Sequence, residues 1–580
     1  MSSLHRAAEL LVGSSTLRGA ERVAASLGFE APHPLDRDAR ERFGLADEAR
    51  RVFVAGHAGS LRCCIVPATA DQVARQLAAR CAARLAERAP HALWFIIVVQ
   101  PATSTLILAL PPQAGSGRVA ALVVDTRRVQ DSDAETLAAM ADATAGGDAM
   151  THQRWRELLG REALTGRFYR ELEICVDGLA SSARGGAPDA ARREIALLCT
   201  SRILFLAFLE AKGWLDGDRE FLRHRFDDRC IRGGNVHRRL LDPLFFGTLN
   251  TPVRARSEAA RSLGRVPFLN GGLFARAPVE RRWRDATLTD DGIGRVVCGL
   301  LGRYRVTARE ESMSWSEAAI DPEMLGRAFE SLMATDDRRR SGAFFTPLPL
   351  IERVATAGID EWLAIRGASV AAREAARSGE PIAEPDRSVV LDGVADVRVL
   401  DPACGSGAFL VHVLERLADL RFAAGDLRPT SSRRRDVLTR SIFGVDVNPM
   451  AVWLCELRLW LSMVIDAADR DGLGVAPLPN LDHHVRVGDA LSGPAFGAHP
   501  ASTRAPALAD LRRRYSASVG VRKRSLARLL DAEERREALA DVGSELTSLA
   551  ARRRDLLAAL RGRDLFHARL TPSAGAHLPS

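Results

Sequence analysis

Lysine, long apolar runs and paired cysteines are scarce in this 580-residue sequence. No run of about 18 or more apolar residues occurs, so the sequence predicts no membrane span. Residues 1–13 contain no apolar stretch flanked like a signal peptide, and the nine cysteines are scattered without a CxxC pair. These absences argue against a zinc module or a disulfide framework and favour the reducing cytosol, so we expect a cytoplasmic protein.

Lys212 and Lys523 are the only lysines among 81 basic residues, and the rest are arginine. This bias is typical of a GC-rich genome, because arginine codons are GC-rich. The formal net charge of +8 still favours an anionic partner such as nucleic acid.

The length predicts about three to four domains, and the pattern along the chain is that of an α/β protein. We expect a small N-terminal α+β domain, a helical domain, a β/α core and a charged helical connector, at residues 1–135, 150–315, 320–500 and 505–580. Residues 131–148 are small and polar and fit a linker between the first two.

Periodicity predicts several elements within these regions. A helix is expected at 72–88 and strands at 93–99, 105–110 and 119–124. The clearest helix of the second region spans 188–213, because Pro188 and Asp189 suit its start and Gly213 suits its end. The charged stretch at 508–563 predicts a helical hairpin.

Residues 399–410 read Val-Leu-Asp-Pro-Ala-Cys-Gly-Ser-Gly-Ala-Phe-Leu, which predicts a strand, a tight turn and a helix. Gly405 and Gly407 let the backbone turn sharply and let a ligand approach closely. The helix N-terminus offers N–H groups to a carboxylate, and Asp401 can hold an ammonium. This pairing suits the methionine part of S-adenosylmethionine. A dinucleotide fingerprint instead needs a third glycine, where Leu410 stands.

A second strand at 442–446 ends on Asp446, which is placed to accept hydrogen bonds from both ribose hydroxyls. The gap between the glycines and this acid is roughly twice the length of about 20 residues that dinucleotide-binding folds use. The excess around Arg433 to Arg435 indicates an inserted loop or helix. A helix at 450–463 follows, and a third strand at 485–487 leads into Gly488-Asp489.

The string Asp-Pro-Ala-Cys-Gly-Ser-Gly at 401–407 resembles motif I of the amino-group DNA methyltransferases. Residues 442–449 and 485–491 are similar to motifs II and III, and residues 341–347 (Ser-Gly-Ala-Phe-Phe-Thr-Pro) resemble motif X. The order X, I, II, III matches the gamma class of N6-adenine methyltransferases. Residues 190–570 resemble large single-chain restriction–modification enzymes of the type IIG kind.

The resemblance implies a Rossmann-like class I S-adenosylmethionine-dependent methyltransferase core, incomplete in this chain. It implies that Asp489 accepts a hydrogen bond from the adenine 6-amino group and that motif X closes over the methionine end of the cofactor. The expected cofactor-binding residues are Thr346, Pro347, Asp401, Ala403, Cys404, Gly405, Gly407, Asp446, Asp489 and Ala490.

Motif IV, Asn-Pro-Pro followed by an aromatic residue, carries the chemistry in this family and is absent here. The only Asn-Pro is Asn448-Pro449, within motif II, and the only Pro-Pro is Pro111-Pro112. We therefore expect no catalytic residues in this chain and no methylation by it alone. A truncated gene product and a gene split from a separately encoded catalytic and target-recognition half are both compatible with this expectation.

Two further motifs are interpreted as structural. Glu210-Ala211-Lys212 has the letters of a nuclease Glu-x-Lys, but it falls at the end of a predicted helix rather than on a strand. His483-His484 is interpreted as a loop pair without metal-ligand spacing. We predict neither a metal site nor cleavage.

Three functions remain to be separated at this point. The first is an S-adenosylmethionine-binding portion of a site-specific DNA adenine-N6 methyltransferase from a restriction–modification or phage-defence system, with double-stranded DNA as partner. The second is a non-catalytic cofactor-binding or DNA-binding subunit. The third, a nicotinamide dehydrogenase, is disfavoured by Leu410 and by motif X.

Overall fold

The computed structural model describes residues 3–57, 59–112, 118–145, 147–270, 274–307, 315–320, 324, 346–465, 477–491 and 505–561. Its secondary structure mixes helices with two sheets, so the α/β class is confirmed. None of the helices within these residues combines the length and apolar character needed to cross a bilayer.

A seven-stranded sheet forms the N-terminal part, in the order β1 to β7. The strands are β1 (His33–Pro34), β2 (Phe53–Gly56), β3 (Leu61–Pro67), β4 (Leu93–Gln100), β5 (Thr105–Leu110), β6 (Val119–Asp125) and β7 (Trp315–Glu317). Neighbouring strands are antiparallel except for the pairs β3–β4 and β6–β7. The three strands predicted from β-prone runs are therefore confirmed.

Both faces of this sheet are buried, because successive side chains of a strand point to opposite faces. Phe95, Ile97 and Val99 join one apolar cluster, whereas Ile96 and Val98 join another on the opposite face. Burial on both faces explains why the central strands read as continuous apolar runs.

The predicted linker at 131–148 is wrong, since a helix occupies most of it. The N-terminal helices are α1 (Ser3–Leu11), α2 (Leu17–Ser26), α3 (Arg37–Arg42), α4 (Ala74–Arg88) and α5 (Asp131–Asp142). Asp133 caps α5 by accepting the Gln130 N–H at 3.1 Å, and Leu137 and Met140 are buried against the sheet. Although most residues of this stretch are small or polar, the buried apolar side chains lie on one face of α5.

Residues 148–303 are mainly helical, as predicted. The helices are α6 (Asp148–Leu159), α7 (Arg161–Ser181), α8 (Asp189–Ala211), α9 (Phe221–Ile231), α10 (Glu258–Arg261), α11 (Pro278–Arg282), α12 (Asp290–Gly294) and α13 (Leu301–Arg303). Segments with π-helical hydrogen bonding lie at His237–Leu241, Pro243–Leu249 and Arg295–Leu300. The helix predicted at 188–213 is confirmed as α8.

The second sheet has three parallel strands in the order β10-β9-β8. They are β8 (Val399–Asp401), β9 (Ile442–Asp446) and β10 (Val485–Val487). The surrounding helices are α14 (Leu348–Ile365), α15 (Val370–Ser378), α16 (Asp386–Asp396), α17 (Ala408–Ala423), α18 (Thr430–Ser441) and α19 (Pro449–Ile465). The arginine-rich insertion is helix α18, with Arg433 and Arg434 buried.

The charged C-terminal stretch forms two helices, α20 (Ala505–Ser516) and α21 (Gly520–Arg561), which contact each other. Leu508, Leu511 and Tyr515 of α20 pack against Leu526 and Leu530 of α21. The predicted helical hairpin is therefore confirmed.

Candidate functional site

The carboxyl ends of the three parallel strands meet at one edge of the small sheet. Asp401 ends β8 and is opposite Gly444 of β9, whereas Asp446 ends β9 and is opposite Val487 of β10. In open parallel sheets, ligands bind in the crevice outside this edge. The two acids that the sequence singled out therefore lie where a ligand is expected.

The glycine turn after β8 is bonded directly to β9. The Cys404 N–H donates to the Val445 carbonyl at 3.0 Å, and the Gly405 N–H donates to Asp446 Oδ2 at 2.9 Å. Gly405 has a φ of 51°, in the left-handed region where glycine is favoured. Motif I and the acid of motif II thus form one bonded unit, although 41 residues separate Gly405 from Asp446.

Gly407 ends the turn and precedes α17, with a φ of 85°. A Cβ at this position would lie 2.5 Å from Cys455 Sγ of α19. The N-cap of α17, Gly407, has no side chain that could accept a hydrogen bond from the first N–H groups of this helix. The turn therefore brings the start of a helix close to the sheet edge without capping that helix by its own last residue.

Asp401 is a partly buried carboxylate close to a second one. Burial and the nearby charge of Asp446 raise the pKa of Asp401, while the Ala403 N–H, donating at 3.1 Å to Asp401 Oδ1, opposes this rise. Two acids held together favour a ligand that brings a positive charge or hydrogen-bond donors.

Asp446 is held at both of its oxygens. Oδ2 accepts the Gly405 N–H, and Oδ1 accepts the Asn448 N–H at 2.9 Å. A carboxylate oxygen has two acceptor sites, so each oxygen keeps one for a further donor. The side chain is therefore fixed in place without its acceptor capacity being used up.

Asp489 and Ala490 follow β10 and are exposed. The preceding residue, Gly488, donates its N–H to the Asp446 main-chain carbonyl at 2.9 Å. Asp489 Oδ1 accepts the Leu491 N–H at 2.9 Å, which closes a tight turn. This turn stands beside the strand end that carries Asp446.

Thr346 and Pro347 lie at the N-terminus of α14, and Pro347 is the last residue before the helix. Helix α14 packs against α17, which follows the glycine turn. No described contact joins Thr346 or Pro347 to the turn itself. The remainder of the predicted motif X, residues 341–345, lies outside the described residues.

Two side chains of α19 contact the glycine turn, although the sequence pattern does not single them out. Cys455 lies against Gly407, and Arg458 donates to the Ser406 carbonyl at 3.1 Å. The available signal was a glutamate and an arginine within the otherwise apolar run Trp-Leu-Cys-Glu-Leu-Arg-Leu-Trp-Leu at 453–461. A charge on a helix face that is predicted to be buried calls for a partner.

Glu210 and Lys212 lie at the end of α8, as the sequence indicated. Glu210 accepts the Leu222 N–H at 2.8 Å, and burial raises the pKa of its carboxyl to about 7. Lys212 donates from Nζ to the Val464 carbonyl of α19 at 2.7 Å. Both side chains therefore bond to main-chain atoms of neighbouring segments.

His483 lies close to Asp531 and Glu534, with one possible ligand atom from each within 4.8 Å of the others. However, Glu534 is paired with Arg486 at 2.7 Å and with Arg512 at 2.9 Å. Hydrogen bonds with His483 and with these arginines hold the pKa of Glu534 well below its usual range despite its burial. A cation at this position would have to displace two guanidinium groups.

Residues 385–477 match the family model described as MmeI, DNA-methyltransferase domain. The matched segment contains β8, the glycine turn, β9 and α19, and therefore includes Asp401 and Asp446. The chain is 29% identical over 332 residues to a Methanocaldococcus jannaschii protein named as a type II restriction enzyme and methyltransferase, RM.MjaORFECS2P, covering 52% of this chain and 28% of that protein.

A second relative is the adenine-specific methyltransferase PglX of Streptomyces coelicolor, which is 32% identical over 99 residues, 17% of this chain and 8% of that protein. The chain thus spans less than a third of the length of these curated relatives. The Type IIL restriction-modification enzyme MmeI, solved in complex with DNA, has a TM-score of 0.40 and 19% identity and covers 56% of this chain and 40% of its own.

Proposed function

We propose that this chain is the S-adenosylmethionine-binding portion of a site-specific DNA adenine-N6 methyltransferase of a restriction–modification or phage-defence system. The observation that carries the proposal is the bond between the Gly405 N–H and Asp446 Oδ2, which joins the glycine turn to the acid of the next strand. The match of residues 385–477 to a DNA-methyltransferase family supports it. On this proposal, the parallel strands and their helices are part of a Rossmann-like core.

The residues present fit S-adenosylmethionine by the chemistry of their atoms. The N–H groups of the first turn of α17, which the turn formed by Ala403, Cys404, Gly405 and Gly407 brings to the sheet edge, would hold the carboxylate. Asp401 would hold the ammonium, and its nearness to Asp446 makes this end of the site favourable to positive charge.

The adenosine end would lie toward the other two strands. Asp446 would accept from the ribose hydroxyls with its two remaining acceptor sites, and Asp489 and Ala490 would contact the adenine. Thr346 and Pro347, at the start of α14, would cover the methionine end. When bound, the cofactor supplies a methyl group on a positively charged sulfur.

Methyl transfer, on this proposal, requires residues that the 580-residue sequence does not supply, because it contains no Asn-Pro-Pro. The base that accepts the methyl group must be taken out of the DNA stack and oriented in a pocket. We propose that a segment outside these 580 residues provides that pocket and that DNA is the substrate, in keeping with the DNA-methyltransferase family model that residues 385–477 match. A non-catalytic cofactor-binding subunit is the alternative.

Isothermal titration calorimetry with S-adenosylmethionine, S-adenosylhomocysteine and NAD tests the cofactor assignment. We expect both S-adenosyl compounds to bind and NAD not to bind. Binding of NAD in their place, or no binding of S-adenosylhomocysteine, would overturn the proposal. In a parallel assay with tritiated cofactor and DNA, this chain alone should transfer no methyl group; transfer would refute the requirement for a further segment.

A further inference from the structure

Arg458 is a buried cation beneath the glycine turn. Its side chain is 3% exposed, and it lies on α19 three residues after Cys455. Residues three apart on a helix share a face, and Cys455 Sγ stands 2.5 Å from where a Cβ on Gly407 would be. The turn therefore meets this face of α19 at two neighbouring side chains.

The contact fixes one peptide unit of the turn. Arg458 Nη1 donates to the Ser406 carbonyl at 3.1 Å and lies 3.4 Å from Ser406 Oγ. The same peptide unit carries the Gly407 N–H, which donates to the Cys404 carbonyl at 2.8 Å. Both ends of this peptide are thus held, and it immediately precedes the first turn of α17.

A guanidinium is charged at every physiological pH and is costly to bury. An apolar side chain would fill the same place on α19 without that cost, so packing alone does not account for Arg458. Its guanidinium lies against the Ser406 carbonyl, immediately before α17, where its charge adds to the positive potential at the N-terminal end of that helix.

We propose that Arg458 is a positioning residue for the amino-acid end of S-adenosylmethionine, an inference that rests on the proposed function. It holds the Ser406 carbonyl so that the start of α17 faces the carboxylate of the ligand. It does not touch the adenosine end, which belongs to Asp446 and Asp489. Its removal should therefore weaken only those ligands that carry the amino-acid group.

Two ligands separate this role from a general structural one. S-adenosylhomocysteine carries the amino-acid group, whereas 5′-methylthioadenosine has the same adenosine and thioether without it. With Arg458→Met in the full chain, calorimetry should find S-adenosylhomocysteine weakened about tenfold or more, the effect of losing a charge-assisted hydrogen bond. The affinity for 5′-methylthioadenosine should change less than about twofold, because its contacts are untouched.

The matched control is Arg433→Met, which removes another buried guanidinium from the same core. Arg433 is 6% exposed and donates to the Ala418 carbonyl at 3.2 Å, away from the turn. We expect this variant to leave the ratio of the two affinities unchanged. Arg458→Lys keeps the charge and one donor, so it should restore part of the affinity for S-adenosylhomocysteine.

If circular dichroism shows that Arg458→Met does not fold, Arg458→Lys provides the test instead. We then expect Arg458→Lys to weaken the binding of S-adenosylhomocysteine severalfold and to leave the binding of 5′-methylthioadenosine unchanged. An equal loss for both ligands, or no loss for either, would overturn the inference. Failure of the unaltered chain to bind either ligand would instead refute the proposed function, so the two failures have different signatures.

Discussion

Each of the two sheets of this protein contains a strand that ends on aspartate. Asp125 ends β6 of the N-terminal sheet and accepts the N–H of Arg127, two residues away, at 3.0 Å. Asp446 ends β9 of the small sheet and accepts the N–H of Gly405, 41 residues away, at 2.9 Å. One acid closes a local turn, and the other joins two strand ends.

Strand direction explains the difference. β5 is antiparallel to β6 and ends at the opposite edge of the sheet, and β7, although parallel to β6, ends opposite Ala121 rather than beside Asp125. β8, β9 and β10 are parallel, so the turns that follow them gather at one edge. An acid at the end of a strand becomes part of a site only where the neighbouring strands end beside it.

Gly407 of the small-sheet region and Gly13 of the N-terminal region show how differently the two regions tolerate one added methyl group. Both have positive φ, 85° and 67°, but a Cβ on Gly407 would meet Cys455 whereas nothing lies within 4 Å of one on Gly13. Gly407→Ala should lower the free energy of unfolding by about 3 kcal/mol, since it adds overpacking to left-handed strain. Gly13→Ala should cost about 1 kcal/mol.

Urea denaturation of both variants measures this difference, and calorimetry should find no S-adenosylhomocysteine binding by Gly407→Ala and unchanged binding by Gly13→Ala. Equal losses of stability would show that Cys455 gives way easily and that the turn is not tightly packed.

Asp446→Ala and Asp125→Ala test the contrast between the strand-end acids themselves. Asp446→Ala should weaken S-adenosylhomocysteine binding about a hundredfold, because it removes the ribose acceptors and releases the Gly405 N–H. Asp125→Ala should leave the affinity within about twofold of the unaltered chain. Calorimetry on the two purified variants checks this, and similar effects from both would contradict a site confined to the parallel strands.

The sequence predicted the elements that have a local signal. Alternation and apolar runs identified β4, β5 and β6, and the residues around Gly405 predicted the strand, the turn and the helix. The composition of 131–148 wrongly indicated a linker, because the three buried apolar side chains of α5 are spread among polar ones at helical spacing. The strand Trp315–Glu317, which joins the N-terminal sheet beside β6, depends on a long-range pairing that no local pattern reveals.

The candidate site likewise contains residues that the sequence predicted and residues that it did not. Asp401, Gly405 and Asp446 were predicted from motif spacing, and the structure brings Gly405 and Asp446 into direct contact. The contribution of α19 was missed, since Cys455 and Arg458 reach the turn from about 50 residues further along the chain. Hydrophobic periodicity predicts that this helix is buried but not which turn it supports.

The smallest predicted effect concerns two carboxylates whose pKa values shift in opposite directions. In the N-terminal region, Asp148 accepts the Leu61 N–H at 2.7 Å and pairs with His57 at 2.8 Å, and these contacts outweigh burial and lower its pKa. In the small sheet, burial and the charge of Asp446 raise the pKa of Asp401.

The lowered pKa of Asp148 adds stability that is present above the unfolded pKa and is lost as the pH falls through the folded value. The raised pKa of Asp401 acts in the opposite sense: its stabilising effect is present below the unfolded pKa and is lost as the pH rises through the folded value. At pH 7, Asp148→Asn should therefore destabilise the protein by about 1–2 kcal/mol, whereas Asp401→Asn should stabilise it by less than about 1 kcal/mol.

Urea denaturation at pH 7 and at pH 4 measures both changes, and the gain from Asp401→Asn should shrink at the lower pH as the unaltered carboxyl takes up its proton. Calorimetry at pH 7 should find that the same substitution weakens S-adenosylhomocysteine, because the neutral amide no longer balances the ammonium. A variant that is more stable and binds less would identify Asp401 as an acid kept for its ligand; a less stable variant with unchanged affinity would mark it as a structural cap like Asp148.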